Sequence, residues 1–190
     1  MKDFGNQIYI DSQDELNRYD LDGKWNDYIA VQKEVLRILK SDGFFNENKV
    51  RNYETNMMIT ISPKDIRETF GNGNKFQRLP KKLKEYKVAT IGKIKEIIEG
   101  ARLLADDVKN IHIGQTASFA YFRKNIVVDD NIGVTVRISV KKRVGSNHFH
   151  IHHVDINENS LELLGPSQET DIFETQDYNL KISDDENIVN

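Results

Sequence analysis

Near residue 110 the apolar pattern of this chain changes its period from about 3.6 residues to 2, which calls for a fold with helices first and strands after. From Val134 to Lys141 the alternation is strict. Val134, Val136, Ile138 and Val140 read as one face of a strand, and Thr135, Arg137, Ser139 and Lys141 as the other. Residues 117–128 predict one or two further strands, a turn over 129–133 reverses the chain, and a turn at 144–147 leads into a strand over 148–156. Connections this short join antiparallel neighbours. The expected class is α+β, with N-terminal helices packed on a four- or five-stranded antiparallel sheet.

Upstream of the change, helical spacing of Ile29, Val31, Val35, Ile38 and Leu39 predicts a helix over 27–40, stopped by Asp42-Gly43. Tyr19, Leu21 and Trp25 read as apolar anchors that dock the preceding segment. A short strand over 57–61 runs into Ser62-Pro63-Lys64-Asp65. Ser62 caps the free amides there, Pro63 fits the first turn and Asp65 completes a capping-box variant, so a helix over 63–70 follows. The loop at 71–74 has the spacing of neither a P-loop nor a dinucleotide fingerprint and reads as a turn. A longer helix is expected over 90–105, with Ile91, Ile94, Ile97, Ile98, Ala101 and Leu104 on one face. These readings divide the chain into an N-terminal helical extension (1–56), an α+β domain (57–164) and an acidic, flexible tail (165–190).

Charge follows the same division. Residues 1–56 carry 8 Lys/Arg against 11 Asp/Glu, residues 57–154 carry 18 against 9, and residues 155–190 carry 1 against 10. A basic centre between acidic flanks is the pattern expected of a module that meets polyanions, since each cation placed on a phosphate releases counterions. An acidic tail can also fold back and mask such a face. The chain has no cysteine, which removes disulfides, thiolate metal sites and cysteine nucleophiles. No run of 18 apolar residues occurs, and the N-terminal residues lack a basic stretch followed by an apolar one. The expectation is a cytoplasmic protein with no membrane partner.

Four of the five histidines lie in His148-Phe149-His150-Ile151-His152-His153. Alternation puts His148, His150 and His152 on one face, with Phe149 and Ile151 toward the core. A phase shift near His152-His153 is needed to return Val154 and Ile156 to the core, which predicts a bulge. Three outward imidazoles can be acid-base groups, zinc ligands or ordinary polar positions. Spacing brings no Asp, Glu or Cys near them, which disfavours metal. Arg137 and Lys141 on the neighbouring hairpin, followed by Lys142 and Arg143, favour acid-base work on a phosphate. Tyr121, Phe119 and Phe122, interleaved with Arg123 and Lys124, can stack bases, although strand aromatics are more often core.

The strings Ile59-Thr60-Ile61-Ser62-Pro63-Lys64-Asp65-Ile66-Arg67-Glu68-Thr69, Phe119-Ala120-Tyr121, the strand from Val134 to Val140 and Phe149-His150-Ile151-His152 follow one another in an order that resembles a known group. Together with the helix from Ile91 to Ala101, they make residues 59–156 similar to the barnase-EndoU-colicin-RelE-like nuclease domains of phage and mobile-element polyvalent proteins. The resemblance implies a toxin-like endoribonuclease that needs no metal or other cofactor, acting through 2′-hydroxyl attack in a bacterial host cell. It nominates Arg67 and Thr69 on the first helix, Tyr121, Arg137, and His150 with His152 as catalytic residues. This chain has Arg67-Glu68-Thr69 where a histidine is looked for near that helix. RNA would be held by Lys64, Lys81, Lys82, Lys84, Arg123, Lys141, Lys142, Arg143 and His148, and a protein inhibitor or the acidic tail would be further partners. The rival reading is a non-catalytic binding module on the same fold.

Overall fold

The computed structural model describes residues 7–70, 74–109, 117–129, 132–143, 149–156 and 162–163. Its centre is an antiparallel meander of β4 (Arg102–Lys109), β5 (Ala117–Val128), β6 (Ile132–Arg143) and β7 (Phe149–Ile156). Strict alternation explains why β6 sits in the middle. Val134, Val136, Ile138 and Val140 are each no more than 1% exposed, so one face of the strand is wholly buried.

The sheet is wider than four or five strands and is mixed, which corrects the plain antiparallel expectation while keeping the α+β class. Among the described residues it has eight strands. β1 (Tyr9–Ile10) lies parallel to the end of β5, and β3 (Met58–Thr60) lies parallel to β7, with Ile59 opposite Phe149 and Thr60 opposite His150. β2 (Lys49–Arg51) pairs with β3 on the outside, and β8 (Glu162–Leu163) pairs with the start of β6. β1 is fixed by Asp129, whose carboxylate accepts from the Ser12 backbone N–H and hydroxyl, both at 2.8 Å. Asp129 has φ +49°, a left-handed conformation that Asp tolerates and that turns β5 back toward β6.

Among the described residues six helices join the sheet: α1 (Ser12–Leu16), α2 (Tyr28–Ser41), α3 (Pro63–Thr69), α4 (Asn74–Arg78), α5 (Lys81–Gly92) and α6 (Ile94–Glu99). The start of α2 is set by Asp27, whose side chain accepts from the backbone N–H groups of Ile29 and Ala30. Its end is set by Gly43 at φ +68°. The capping box expected at α3 is present in full: Ser62 accepts from the Asp65 N–H, and Asp65 accepts from the Ser62 N–H at 2.6 Å.

The helix expected over 90–105 begins nine residues earlier, at Lys81, breaks at Lys93, and ends at Glu99. Its end is imposed from far upstream. Buried Asn52 donates to the Ile98 and Ala101 carbonyls, both at 2.7 Å, and the Tyr53 N–H donates to the Glu99 carbonyl. Those bonds satisfy the terminal carbonyls and let the chain leave as β4. Leu104, expected on the buried face, is 44% exposed on that strand.

One apolar cluster joins Ile91, Ile94, Ile97 and Ile98 to Ala120, Phe122, Ile126, the inward face of β6, and Ile151, Val154 and Ile156. Residues 1–56, read as an N-terminal helical extension, contribute Ile10, Leu21, Val31, Val35, Leu39 and Val50 to that same cluster. No helix among the described residues is long and apolar enough to cross a membrane. The tail over 165–190, the loop at 71–73, the turn at 144–147 and His148 lie outside the described residues.

Candidate functional site

The site grows out of the β3–β7 pairing. Because Thr60 is opposite His150, and α3 begins three residues later, the helix is laid against β7. Asp65 and Glu68 are one helical turn apart and face the strand together. Asp65 Oδ2 is 4.0 Å from His150 Nδ1, and Glu68 Oε2 is 3.7 Å from His152 Nδ1. The two imidazole side chains are about half open, at 42% and 48% exposure. Spacing alone gave no carboxylate near the histidines, and this corrects it: the parallel pairing supplies two from about 85 residues upstream. Even so, the described residues contain no group of three or more His, Asp or Glu placed to hold a metal ion.

The predicted bulge is present. Ser139 pairs with His153 and Val140 with Ile151, which leaves His152 as the extra residue. Val154 and Ile156 consequently return to the core. A bulge aims two successive side chains to the same side, so His152 and His153 share one surface. With Tyr28, Ile29, Gln32, Lys64, Arg67 and Glu68 they line an open cleft of about 910 Å³ between α2, α3 and β7. The cleft wall is stitched by Gln32, whose side-chain amide donates to the Arg67 carbonyl at 3.1 Å.

The histidine face continues across the sheet. His150 is directly opposite Lys141, which in turn is opposite Phe119. Phe119 is 6% exposed yet stands outside the main apolar cluster, because it lies on the other side of the sheet. There it stacks with Tyr121, ring centroids 6.5 Å apart, and meets the His152 ring at 5.3 Å. Two rows further along, Arg102, Arg123 and Arg137 are opposite one another on β4, β5 and β6, and Asp155 on β7 closes the row. Arg102 had no place in the sequence reading, because its strand was taken for helix.

His153 is the electrostatically distinctive member. Burial is the largest cause holding its pKa below the ordinary histidine value. The charge of Lys87 adds to that, opposed by Asp155 and by a hydrogen bond to the Glu68 backbone. Lys87 itself is 5% exposed, and burial depresses its pKa too.

Several nominated residues lie elsewhere. Thr69 is fully buried, its hydroxyl donating to the Ile66 carbonyl at 2.7 Å, so it supports α3 from inside and cannot meet a substrate. Lys84 is 4% exposed, with its ammonium donating to the Trp25 carbonyl at 3.1 Å, and is therefore a structural cation instead of a phosphate contact. Lys82 pairs with Asp129 at 2.9 Å and Lys81 with Glu85 at 3.7 Å. Asp129 is ten residues of strand beyond Phe119, about 30 Å, so neither lysine joins the histidine face. Lys142 has the opposite parity to Lys141, and its ammonium sits 5.7 Å from the Phe149 ring centre. Lys64 stays exposed at the cleft rim, 3.7 Å from Glu68. Nothing is described of the Arg143 side chain or of His148. Asp65, Glu68, Gln32, Tyr28 and His153 are additions. Their signals in the sequence are the Asp65-x-x-Glu68 spacing on a capped helix and, for His153, the phase shift next to His152.

Comparisons of the chain with protein-family models, with curated proteins and with solved structures return no match.

Proposed function

We propose that this protein is a ribonuclease-fold domain of the barnase, EndoU, colicin and RelE kind that cleaves RNA without metal on the outer face of the β5–β6–β7 sheet. One observation carries the reading. Two half-open imidazoles two residues apart on β7 each stand within 4.0 Å of a carboxylate on α3, on the face that bears Lys141 and Arg137.

The chemistry asks for little else. One imidazole takes the 2′-hydroxyl proton while the 2′-oxygen attacks phosphorus. The P–O5′ bond breaks and a second imidazole protonates the departing 5′-oxygen, leaving a 2′,3′-cyclic phosphate and a 5′-hydroxyl. Lys141 and Arg137 balance the charge that gathers on the phosphorane oxygens. Asp65 and Glu68 place a negative charge behind the rings they face, at 4.0 and 3.7 Å. Tyr121, stacked on Phe119, offers an aromatic surface to a neighbouring base.

The arginine row favours a second reading, in which the same face binds nucleic acid without cutting it, since Arg102, Arg123 and Arg137 need no histidine to hold phosphates. Purified protein incubated with mixed RNA in EDTA separates the two. Cleavage should appear, ending in cyclic phosphates, and should fall about 100-fold or more in His152→Ala. RNA retained with no products above the variant's background would leave the binding reading and remove the catalytic one.

A further inference from the structure

The ribonuclease reading leaves open which imidazole partners His152, and alternation nominates His150. From the bulge and the cleft we infer that His153 is the proton acceptor for the ribose 2′-hydroxyl, with His152 as the proton donor to the leaving oxygen. The inference rests on the ribonuclease reading and deepens it.

In an unbroken strand, residues 152 and 153 would point to opposite faces, and one of them would enter the core. Ser139 instead faces both, and both line the 910 Å³ cleft with Arg67 and Lys64 at its rim. His150 does not line this cleft. It stands opposite Lys141 and beside the capping carboxylate of Asp65, a place suited to holding phosphate alongside that lysine. A bulge re-aims a side chain at the cost of a ladder hydrogen bond, and here the side chain gained for the cleft is an imidazole.

The surroundings of His153 suit a base. From α3 the Glu68 backbone hydrogen-bonds to the ring, which leaves the other ring nitrogen to accept a proton. From α5, buried Lys87 brings a positive charge; from β7 itself come Asp155 and His152, and across on β6 lies Ser139. Lys75 on α4 and Asp155 act in turn on Lys87. Burial and Lys87 together shift the ring toward its neutral, proton-accepting form relative to a free histidine. This also gives the otherwise costly burial of Lys87 a use in the reaction. In the step, the His153 nitrogen gains the 2′-hydroxyl proton, the O2′–P bond forms and the P–O5′ bond breaks. The proton on His152 goes to the 5′-oxygen.

The test is the pH dependence of kcat/KM for a short RNA in EDTA, measured for the full chain and for Lys87→Met, His153→Gln and His150→Gln. Methionine fills the volume of a buried lysine, so Lys87→Met should fold, which thermal unfolding checks. The acidic limb of the profile should move to higher pH in Lys87→Met, in step with the His153 imidazole titration followed by NMR. His153→Gln should lose about 100-fold or more together with that limb, while His150→Gln keeps the limb. If the limb stays in place in Lys87→Met while the NMR midpoint moves, or survives in His153→Gln, the assignment is overturned and the ribonuclease reading stands. If the unmodified protein cuts nothing, the reading itself fails and takes the assignment with it.

Discussion

The two faces of the central sheet are made by the same strands, and they differ in almost every physical respect. On β6 the even-numbered side chains from Val134 to Val140 are fully buried, in one cluster with Ile91, Ile94, Ile97 and Ile98. The odd-numbered ones from Thr135 to Lys141 are all at least partly open to water. Backbone pairing is common to both, so the contrast lies in the side chains alone. The inner face is selected for burial, each large side chain contributing about 2 kcal/mol relative to exposure. The outer face sets arginine opposite arginine twice in one row, and like charges directly opposite are unfavourable. On that face the row is relieved at its end by Asp155, opposite Arg137.

That contrast is broken most directly by placing one new charge on each face of β6. Ile138→Asp puts a carboxylate at a site 1% exposed with no partner for it, and should cost about 4 kcal/mol or more, enough to unfold a domain of ordinary stability. Arg137→Asp, one residue earlier, should stay within about 1 kcal/mol while RNA affinity drops and its salt dependence flattens. Urea denaturation followed by circular dichroism reads the first, and RNA titration at several salt concentrations reads the second. Equal stability losses in the two variants would mean that the faces are not functionally distinct.

A one-residue deletion is a milder probe of the same difference. Removing His152 takes out the bulged residue and leaves Ile151 opposite Val140, His153 opposite Ser139 and Val154 opposite Ile138. The core pattern survives, so the cost should be about 1–2 kcal/mol with cleavage abolished. Removing Asn125 from the unbulged strand β5 should be far worse, because it turns Ile126 and Val128 away from the core that Phe122 occupies. Thermal unfolding of the two deletions, side by side, checks the ordering. A His152 deletion as damaging as that of Asn125 would mean that the bulge holds the fold together.

This ordering also tells what could be read from one sequence. Signals local to a few residues came through: the alternation of β6, the Ser62–Asp65 capping box, the helical spacing of α2 and the phase slip at His152-His153. Partners remote along the chain did not. The parallel contact of Tyr9 with Val127 spans over a hundred residues, and nothing within either segment announces it. The same holds for Asn52, which ends α6 by bonding to carbonyls nearly fifty residues later, so residues 102–105 kept a helical appearance they do not fulfil. For the site, the outward imidazoles and the Arg137 and Lys141 face were legible by period. Glu68 was not, because its nearness to His152 depends on the β3–β7 register. Lys84 misled for a different reason: composition counts a lysine as surface, but a long aliphatic stem can be buried when its ammonium finds a carbonyl, here that of Trp25.

The smallest expected effect concerns a charge used for architecture, the counterpart of those on the outer sheet face. Glu34 on α2 accepts from the Asp20 backbone N–H at 2.9 Å and from Arg37, and the Arg37 guanidinium is the largest cause that pulls its pKa from 4.5 down to about 2. A carboxylate depressed on folding contributes stability that is fully present above its unfolded pKa and is lost as pH falls through the folded one. The window here runs from about pH 4.5 down to about pH 2. Arg37 is largely exposed, which screens the pair and limits the contribution to about 1 kcal/mol. Glu34→Gln should therefore lower stability by that amount at pH 7 and by progressively less toward pH 2, with RNA binding unchanged. Outer-face substitutions such as Arg137→Asp should show the reverse, a constant stability and an altered affinity. Denaturant midpoints at pH 7 and pH 3 for both variants make the distinction: a Glu34→Gln deficit that persists undiminished at acid pH would mean that the carboxylate acts through shape, and its charge would drop out of the account.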